Sequence, residues 1–369
     1  MDNFLYGLII VEVGLLLWIG FNSLFVIRLQ SSKKQYGQRV SILIPLRDEE
    51  QNVKGLIASL KKVDHDHIEF MLLDDSSTDQ TYSLLIDKTT NDSRFQILQG
   101  DPLPKGWSGK VFACHQLSQK ANGEYLFFID ADVRVAPNIV SETLHTMKKE
   151  KAHMLSGFPY YPASGIWPQL LITLQHFVVH AHLPIPIANH SYNPSFTAAS
   201  GGFIAIERTT YEMIGGHQAL KRSILEDIQL ARLVKKHRKR MILVNITSSV
   251  TCYMYHTLRD AFDGFTKNIF EGIGRSKIMA IFLSLFYFSV YVTPLFFLIS
   301  GVLFMDWLYI VPYLLVTLQK FIVDLQTRTN GFFALGMPIS AVLLILVLWR
   351  SMYKSVTGKT YKWKGRSYQ

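Results

Sequence analysis

The chain of 369 residues is 49% hydrophobic and carries a formal net charge of +10. It is too long, and with 2 cysteines too poor in thiols, to be a peptide stapled by disulfides. Its apolar residues gather in blocks near the two ends, which points to membrane segments flanking one polar domain. Cys114 and Cys252 fit neither a metal-binding spacing nor a C-x-x-C redox motif, so they read as buried, reduced thiols. The basic excess suits an anionic membrane face. Nucleic acid is disfavoured as a partner, because the basic residues cluster at the edges of apolar segments without a matching stripe of exposed aromatics.

From Phe4 to Ile27 the sequence is apolar apart from Glu12 and a few uncharged polar residues, enough for a helix to cross about 30 Å of hydrocarbon. Asp2 stands where a signal peptide has a basic start, and no small-residue cleavage site follows. Residues 1–30 are therefore expected to be a retained transmembrane anchor. Arg28, Lys33, Lys34 and Arg39 follow directly, which by the positive-inside rule puts the downstream domain, residues 38–277, in the cytoplasm.

Within that domain, Val40 to Pro45, Ile68 to Asp75, Phe95 to Leu98 and Tyr125 to Asp132 read as strands buried on both faces. Segments with helical periodicity, such as Glu49 to Lys61 and Thr78 to Lys88, lie between them. This alternation predicts an α/β fold with a mainly parallel, doubly wound sheet, in which ligands bind beyond the carboxyl ends of the strands.

Beyond Lys277 the chain turns apolar again, giving a C-terminal transmembrane region at 278–350. Ile278 to Met305 and Gly331 to Trp349 are clear spans. Trp307 to Val323, with Pro312, Gln319 and Lys320, is weaker and is expected to be interfacial or re-entrant. An even number of crossings then keeps the basic tail, residues 351–369 with Lys354, Lys359, Lys362, Lys364 and Arg366, beside Arg350 in the cytoplasm. The whole reads as a multi-pass protein of the cell membrane.

Two acidic clusters fall at predicted strand ends. Asp74-Asp75-Ser76-Ser77-Thr78-Asp79 precedes a helix that Ser77 or Thr78 could cap, and its carboxylates could accept from a base or ribose. In Asp130-Ala131-Asp132, two carboxylates one residue apart repel each other unless a cation bridges them to a diphosphate, and hard oxygen ligands suit Mg²⁺ or Mn²⁺. Between the clusters, Gly106-Trp107-Ser108-Gly109-Lys110 is not a P-loop, because the glycine spacing is wrong and Val111 follows the lysine. It could present Lys110 to a diphosphate, or simply start a helix. Leu225-Glu226-Asp227 begins a basic helical stretch: Asp227, and less favourably Glu226, could serve as a general base, while the macrodipole alone would also favour acids there.

Taken in order, Pro45-Leu46-Arg47-Asp48-Glu49-Glu50, the DDSSTD run, GWSGK, DAD, Ser200-Gly201-Gly202-Phe203, Gly215-Gly216 and Glu226-Asp227 resemble the family 2 glycosyltransferases over about Val40 to Arg275. That resemblance implies a GT-A fold and an inverting, metal-dependent transfer from a UDP-sugar. It implies a donor site of Pro45, Arg47, Glu49, Asp74, Asp75, Lys110, Asp130, Gly201 and Gly202, with a metal on Asp132 and Asp130. It also implies that Asp227 is the catalytic base beside Glu226, and that Gly201 and Gly202 form a tight wall against the sugar. The Q-x-x-R-W motif of processive members is missing, since the comparable stretch reads Phe265-Thr266-Lys267-Asn268-Ile269. Lys267 could supply a positive charge instead.

The chain is similar to the bacterial carotenoid-pathway subgroup through Trp107 to Gln116, Thr266-Lys267 and the tail around Trp363. This implies a hexose, glucose in the first instance, carried to a membrane lipid such as a terpenoid acid. A polyprenyl-phosphate sugar synthase, whose acceptor needs no base, and an inactive sugar-binding scaffold are the rival readings. The aromatic stretch Trp167 to Ile187 is expected to lie against the bilayer and guide the acceptor, with His176, His180 and His182 as packing residues.

Overall fold

The structure, a computed structural model, describes residues 2–32, 36–162, 165–255, 257–357, 361–363 and 366–368. Lys33 and Lys34 of the first basic cluster, and Lys359 and Lys364 of the tail, lie outside the described residues. The chain forms two compact units, one of Val26–Tyr160 and Ile185–Met254, the other of Met1–Phe25, Tyr161–Pro184 and Tyr255–Gln369. The expected continuous domain at 38–277 is thus interrupted, because 161–184 and 255–277 pack with the apolar helices.

The first unit is an α/β layer structure built from ten strands: β1 (Ile27–Arg28), β2 (Val40–Leu46), β3 (Ile68–Asp74), β4 (Phe95–Gln99), β5 (Tyr125–Ile129), β6 (Val133–Val135), β7 (Met154–Ser156), β8 (Phe203–Glu207), β9 (Met241–Asn245) and β10 (Val250–Cys252). Eight form one sheet in the order β1-β9-β7-β8-β5-β2-β3-β4, while β6 and β10 pair separately. The pairs β2 with β3, β3 with β4 and β2 with β5 are parallel, and β8 runs antiparallel to both β5 and β7.

The apolar runs form strands because β-branched and aromatic side chains suit a sheet covered on both faces. In β2, Val40, Ile42, Leu43 and Ile44 are fully buried. β4 departs from the expectation of burial on both faces: it is an edge strand, and its side chains are half-buried or exposed. Parallel β2, β3 and β5 share one direction, so Leu46, Asp74 and Ile129 end at the same edge of the sheet. The loops leaving that edge carry the acidic clusters.

Among the described residues of the second unit, four helical stretches are long and apolar enough to cross a membrane: Asn3–Leu24, Lys277–Phe304, Trp307–Gln326 and Gly331–Val356. The third covers the segment expected from sequence to be interfacial or re-entrant, and by length and composition it suffices for a crossing. Gln319 and Lys320, which with Pro312 make it look weak, are fully buried, with Lys320 ion-paired to the buried Asp324. Gln319 Nε2 also donates to the Glu12 carbonyl at 3.0 Å, so the polar face turns inward against the first helix. Crossings by all four carry the basic tail to the side opposite Arg28, so the two basic clusters share a side only if one helix lies in the interface.

The stretch Trp167 to Ile187 is helical for most of its length. Trp167 is exposed, but Phe177 is fully buried against Tyr291 with ring centroids 5.5 Å apart, so Phe177 is core rather than a lipid-facing guide. His180 Nδ1 donates to the His176 carbonyl at 2.8 Å, and His182 shares a 2.8 Å hydrogen bond with the Tyr287 hydroxyl. Thr266 and Lys267 lie on the helix Leu258–Gly272 in this unit.

Backbone crowding at the β7 end offers a test. A Cβ on Gly157 would sit 2.1 Å from the Val244 carbonyl and 2.9 Å from Ile246 Cγ2. Gly157→Ala should cost about 1–3 kcal/mol and lower the melting temperature of the detergent-solubilised protein by several degrees; an unchanged melt would show that the β7–β9 edge yields freely.

Candidate active site

The loops after β2 and β3 are stitched to each other by reciprocal bonds. Asp48 N–H donates to Ser77 Oγ at 2.9 Å, and Thr78 N–H donates to Asp48 Oδ1 at 2.7 Å. Glu50 N–H reaches Asp79 Oδ2 and Gln80 N–H reaches Glu50 Oε2, each at 3.1 Å. Asp48 and Ser76 take positive φ values of 50° and 57°, in the left-handed region where short polar side chains are best tolerated. Ser77 and Thr78 therefore brace this crossover and do not cap the next helix, which starts at Thr81 with Gln80 as its N-cap.

Arg47 completes the weave, its Nη1 donating to the Asp75 and Ser76 carbonyls at 2.5 and 3.1 Å. Pro45 lies inside β2 opposite Leu73. Glu49 accepts from Asn52 Nδ2 at 2.8 Å, and its own N–H donates to Thr81 Oγ1 at 2.8 Å. Asp74 is buried and turns one oxygen to the Ser77 N–H at 3.3 Å, which makes it a loop organiser.

Lys110 stands at the centre of the site. It begins the helix Gly109–Lys120, and its Nζ lies 2.7 Å from Asp130 Oδ1 and 2.9 Å from Glu226 Oε1. The loop before it is held by Ser108, whose N–H donates to the Lys221 carbonyl at 2.7 Å and whose hydroxyl donates to the Ser223 carbonyl at 3.2 Å. Burial opposes the Lys110 charge, but Asp130 and Glu226 outweigh it and hold the ammonium well above the usual lysine range. The side chains of Lys110 and Asp130 keep 26% and 24% of their exposure, so water still reaches this crowded centre.

The other acids feel the crowding without an equal partner. Burial raises Asp130 above its ordinary value although Lys110 opposes the rise. Asp132 is pushed up to about 7, by burial first and then by the charges of Asp130 and Glu49; Cys252 Sγ–H donates to its Oδ1 at 3.5 Å. Burial likewise pushes the Cys114 thiol up, with Lys110 opposing and Glu226, Asp130 and Asp75 adding to the rise. Asp75 follows β3, its N–H donating to the Leu46 carbonyl at 2.7 Å, at the edge of the sheet where β5 also ends.

Asp227 opens the helix Glu226–Lys236 and has both oxygens engaged by backbone N–H groups. Gly201 donates to Oδ2 at 2.8 Å and Ile228 to Oδ1 at 2.7 Å. Burial first, and Glu226 second, raise it to about 7 despite those bonds and Lys110. A Cβ on Gly201 would lie 2.8 Å from Lys110 Nζ, so a side chain there would compete for space with the lysine in its ion-paired position. Gly202 is different: its Cβ would meet Ser200, Pro159 and Val133 at ordinary contact distances of 3.5–3.6 Å, so the tight wall expected of both glycines rests on Gly201 alone.

The acids fit a divalent cation that completes its shell elsewhere. Asp130 and Asp132 offer hard oxygens, and after burial the charge of Asp130 is the next largest cause of the rise at Asp132. Among the described residues no three His, Cys, Asp or Glu side chains gather as a closed metal site, so such an ion would take further oxygens from a phosphorylated ligand.

Residues 41–228, slightly more than half of the chain, match the family described as glycosyl transferase family 2. The chain belongs to that family. As a family 2 glycosyltransferase it is 23% identical over 255 residues to the 4,4'-diaponeurosporenoate glycosyltransferase of Staphylococcus haemolyticus, covering 68% of this chain and 66% of that protein. Against the protein of the same name from Staphylococcus aureus it is 24% identical over 253 residues, covering 65% and 64%. The match thus spans just under two thirds of the length of these relatives.

Among solved structures, the glycosyltransferase is similar to the mannosyltransferase PcManGT from Pyrobaculum calidifontis in complex with GDP-Man and Mn²⁺. The TM-score is 0.55 at 13% identity, covering 97% of this chain and 99% of that one. This is likeness of fold, and the fold is GT-A.

Sequence reasoning located Asp74, Asp75, Lys110, Asp130, Asp132, Glu226 and Asp227 but missed what holds them. The Cys252 contact to Asp132 joins residues 120 positions apart, and the Asp227 contact to Gly201 spans 26. Neither leaves a local pattern.

The raised carboxyls give this site a pH signature. A free carboxyl titrates near 4, so the stability contributed by protonated Asp132 and Asp227 is complete below about pH 4 and is lost as pH rises through about 7. The metal-free protein should melt lower at pH 8 than at pH 6, and Asp132→Asn should flatten that dependence. Mn²⁺ with UDP should raise the melting temperature more at pH 8 than at pH 6. An equal slope in wild type and Asp132→Asn would contradict the assignment.

Proposed function

We propose that the protein transfers a hexose, glucose in the first instance, from a UDP-sugar to a membrane lipid acceptor with inversion, and that the acceptor is a terpenoid acid of the carotenoid type. The family membership and the carotenoid-pathway names of the relatives support this reading. It is carried by one observation: Asp227 is aimed by two backbone N–H bonds and poised at about 7, in the same acidic centre as Lys110, Asp130 and Glu226.

Asp130 and Asp132 would hold Mg²⁺ or Mn²⁺, which supplies positive charge against the diphosphate leaving group. Asp75 and the woven Arg47 to Glu49 loop would receive the uridine. Glu226 and Asp130 fix Lys110, whose ammonium would face the diphosphate as its bond to the sugar breaks. Asp227 would take the proton from the acceptor oxygen as that oxygen attacks the anomeric carbon from the face opposite UDP. A long-chain acid presented from a bilayer keeps part of its proton, because low-dielectric surroundings raise a carboxyl's pKa, so a base at about 7 suits it.

We assign the protein to the cell membrane as a multi-pass protein, on the four apolar helices. The catalytic unit would face the cytoplasm, on the basic residues Arg28 and Arg39 that follow the first helix.

Asp227→Asn should lower kcat/KM for a protonated acceptor by about 10²–10⁴-fold while the KM for UDP-hexose stays within about twofold, read by mass spectrometry of lipid products from labelled UDP-glucose. A mild loss, with product on a polyprenyl phosphate, would favour an acceptor that arrives ionised and would overturn the terpenoid assignment.

A further inference from the structure

Lys235 lies near the C-terminal end of the helix that Asp227 begins, yet its side chain is 1% exposed, unusual for a lysine. Among the described residues it makes no ion pair. Its Nζ donates to two backbone carbonyls, Ala188 at 2.6 Å and Phe196 at 2.5 Å. Both belong to the stretch that leads from Ile185 to Ser200 and then to Gly201, whose N–H meets Asp227. This stretch is therefore fastened to one helix at both of the helix's ends, by Asp227 in its first turn and by the buried cation of Lys235 in its last.

The rest of the stretch is held lightly and shows apolar surface. Asn189 anchors it to the sheet, its Nδ2 donating to the Leu243 carbonyl at 3.2 Å and its Oδ1 accepting from Leu243 N–H at 2.8 Å. Residues 191–199 form no helix or strand, and their bonds include Asn193 N–H to Ser191 Oγ at 3.0 Å, Ser195 N–H to Asn193 Oδ1 at 2.9 Å, Ser191 N–H to the Ile187 carbonyl at 2.8 Å and Phe196 N–H to the Asn193 carbonyl at 3.2 Å. Ile187 and Tyr192 are 46% and 44% exposed.

We infer that residues 185–199 form an acceptor-side strap and that Lys235 is its positioning residue, setting the strap against the helix that carries the base so that Ile187 and Tyr192 receive the apolar body of a long-chain acceptor. This rests on the proposed lipid acceptor and adds the element that orders it. A cation is a stronger donor to a carbonyl than a neutral group, and burial draws the Lys235 ammonium down only to about 8, so it remains charged at neutral pH. Removing it leaves two carbonyls without their donor in a closed space.

Lys235→Met keeps the length of the stem and deletes the donor. The KM for the lipid acid acceptor should rise about tenfold while the KM for UDP-hexose is unchanged, and amides of residues 188–201 should exchange with deuterium at least about tenfold faster while those of β2 and β3 keep their protection. Lys235→Arg should recover part of the acceptor affinity. The surface variant Ile187→Asn/Tyr192→Ser, which leaves the clasp intact and has no reason to unfold, should raise the same KM without faster exchange.

Equal changes in donor and acceptor KM in Lys235→Met, or an unchanged acceptor KM in the surface variant, would overturn the inference. If Lys235→Met does not fold, the surface variant decides alone. Should no lipid acid be glycosylated by the wild type, the proposed acceptor fails, while faster exchange of residues 188–201 in Lys235→Met would still identify the clasp.

Discussion

The arrangement of Lys110 between Asp130 and Glu226 is the constraint on which the site depends. Asp130 and Asp132 follow a parallel strand, Glu226 starts a helix beside them, and a buried carboxylate without a partner is expensive. A single ammonium within 2.9 Å of two of them makes the gathering tolerable. Breaking such a pair costs about 3–5 kcal/mol, because the surviving charge is stranded. The helix that begins at Gly109 adds its positive N-terminal end to the same place. Its start is fixed in turn by the bonds from Ser108 to the Lys221 and Ser223 carbonyls. Lys110 satisfies only part of the acidity, and what remains is on Asp132 and Asp227, both raised to about 7.

The two sides of the centre are built by different means. On the β2 and β3 side, side chains and backbone exchange bonds across about thirty residues of sequence, with Asp48, Glu50, Ser77 and Asp79 each serving the opposite loop. A surface woven in this way is preorganised. On the other side, residues 185–201 are joined to the helix Glu226–Lys236 and to β9 by long-range bonds from Lys235, Asn189 and Gly201.

Much of the fold was legible because the strands β2, β3 and β5 are short apolar runs, the last two ending abruptly in acid, and the run of apolar residues reports that directly. The acidic clusters were legible for the same reason: a charged residue immediately after a buried strand has one place to go. What escaped was long-range. The third apolar helix looked weaker than its neighbours because Pro312, Gln319 and Lys320 were counted as if each faced lipid, whereas Gln319 and Lys320 are fully buried and Gln319 donates to the Glu12 carbonyl. Ser77 and Thr78 looked like helix caps because hydroxyls before a helix usually are, but the crossing loop offered them nearer partners. Gly202 looked as indispensable as Gly201 because adjacent glycines look alike in sequence, while a Cβ clashes with Lys110 at only one of them. Lys235 gave no signal at all, since in a helix reading Val234-Lys235-Lys236 it looks like any surface lysine.

Chain order gives these pieces a direction. The strands β2 to β5 come first, from Val40 to Ile129, and form an uninterrupted parallel block. Only afterwards does the chain leave for the apolar unit at Tyr161, returning at Ile185 to lay down residues 185–199, Ser200-Gly201-Gly202 and then β8. The return leads through Ala188 and Phe196, which Lys235 clasps to the helix Glu226–Lys236, to Gly201, whose N–H meets Asp227 at the start of the same helix. That route left no trace in the sequence pattern, because a short apolar run does not tell which of two units it packs with, and the fasteners that bring the chain back join residues far apart along it.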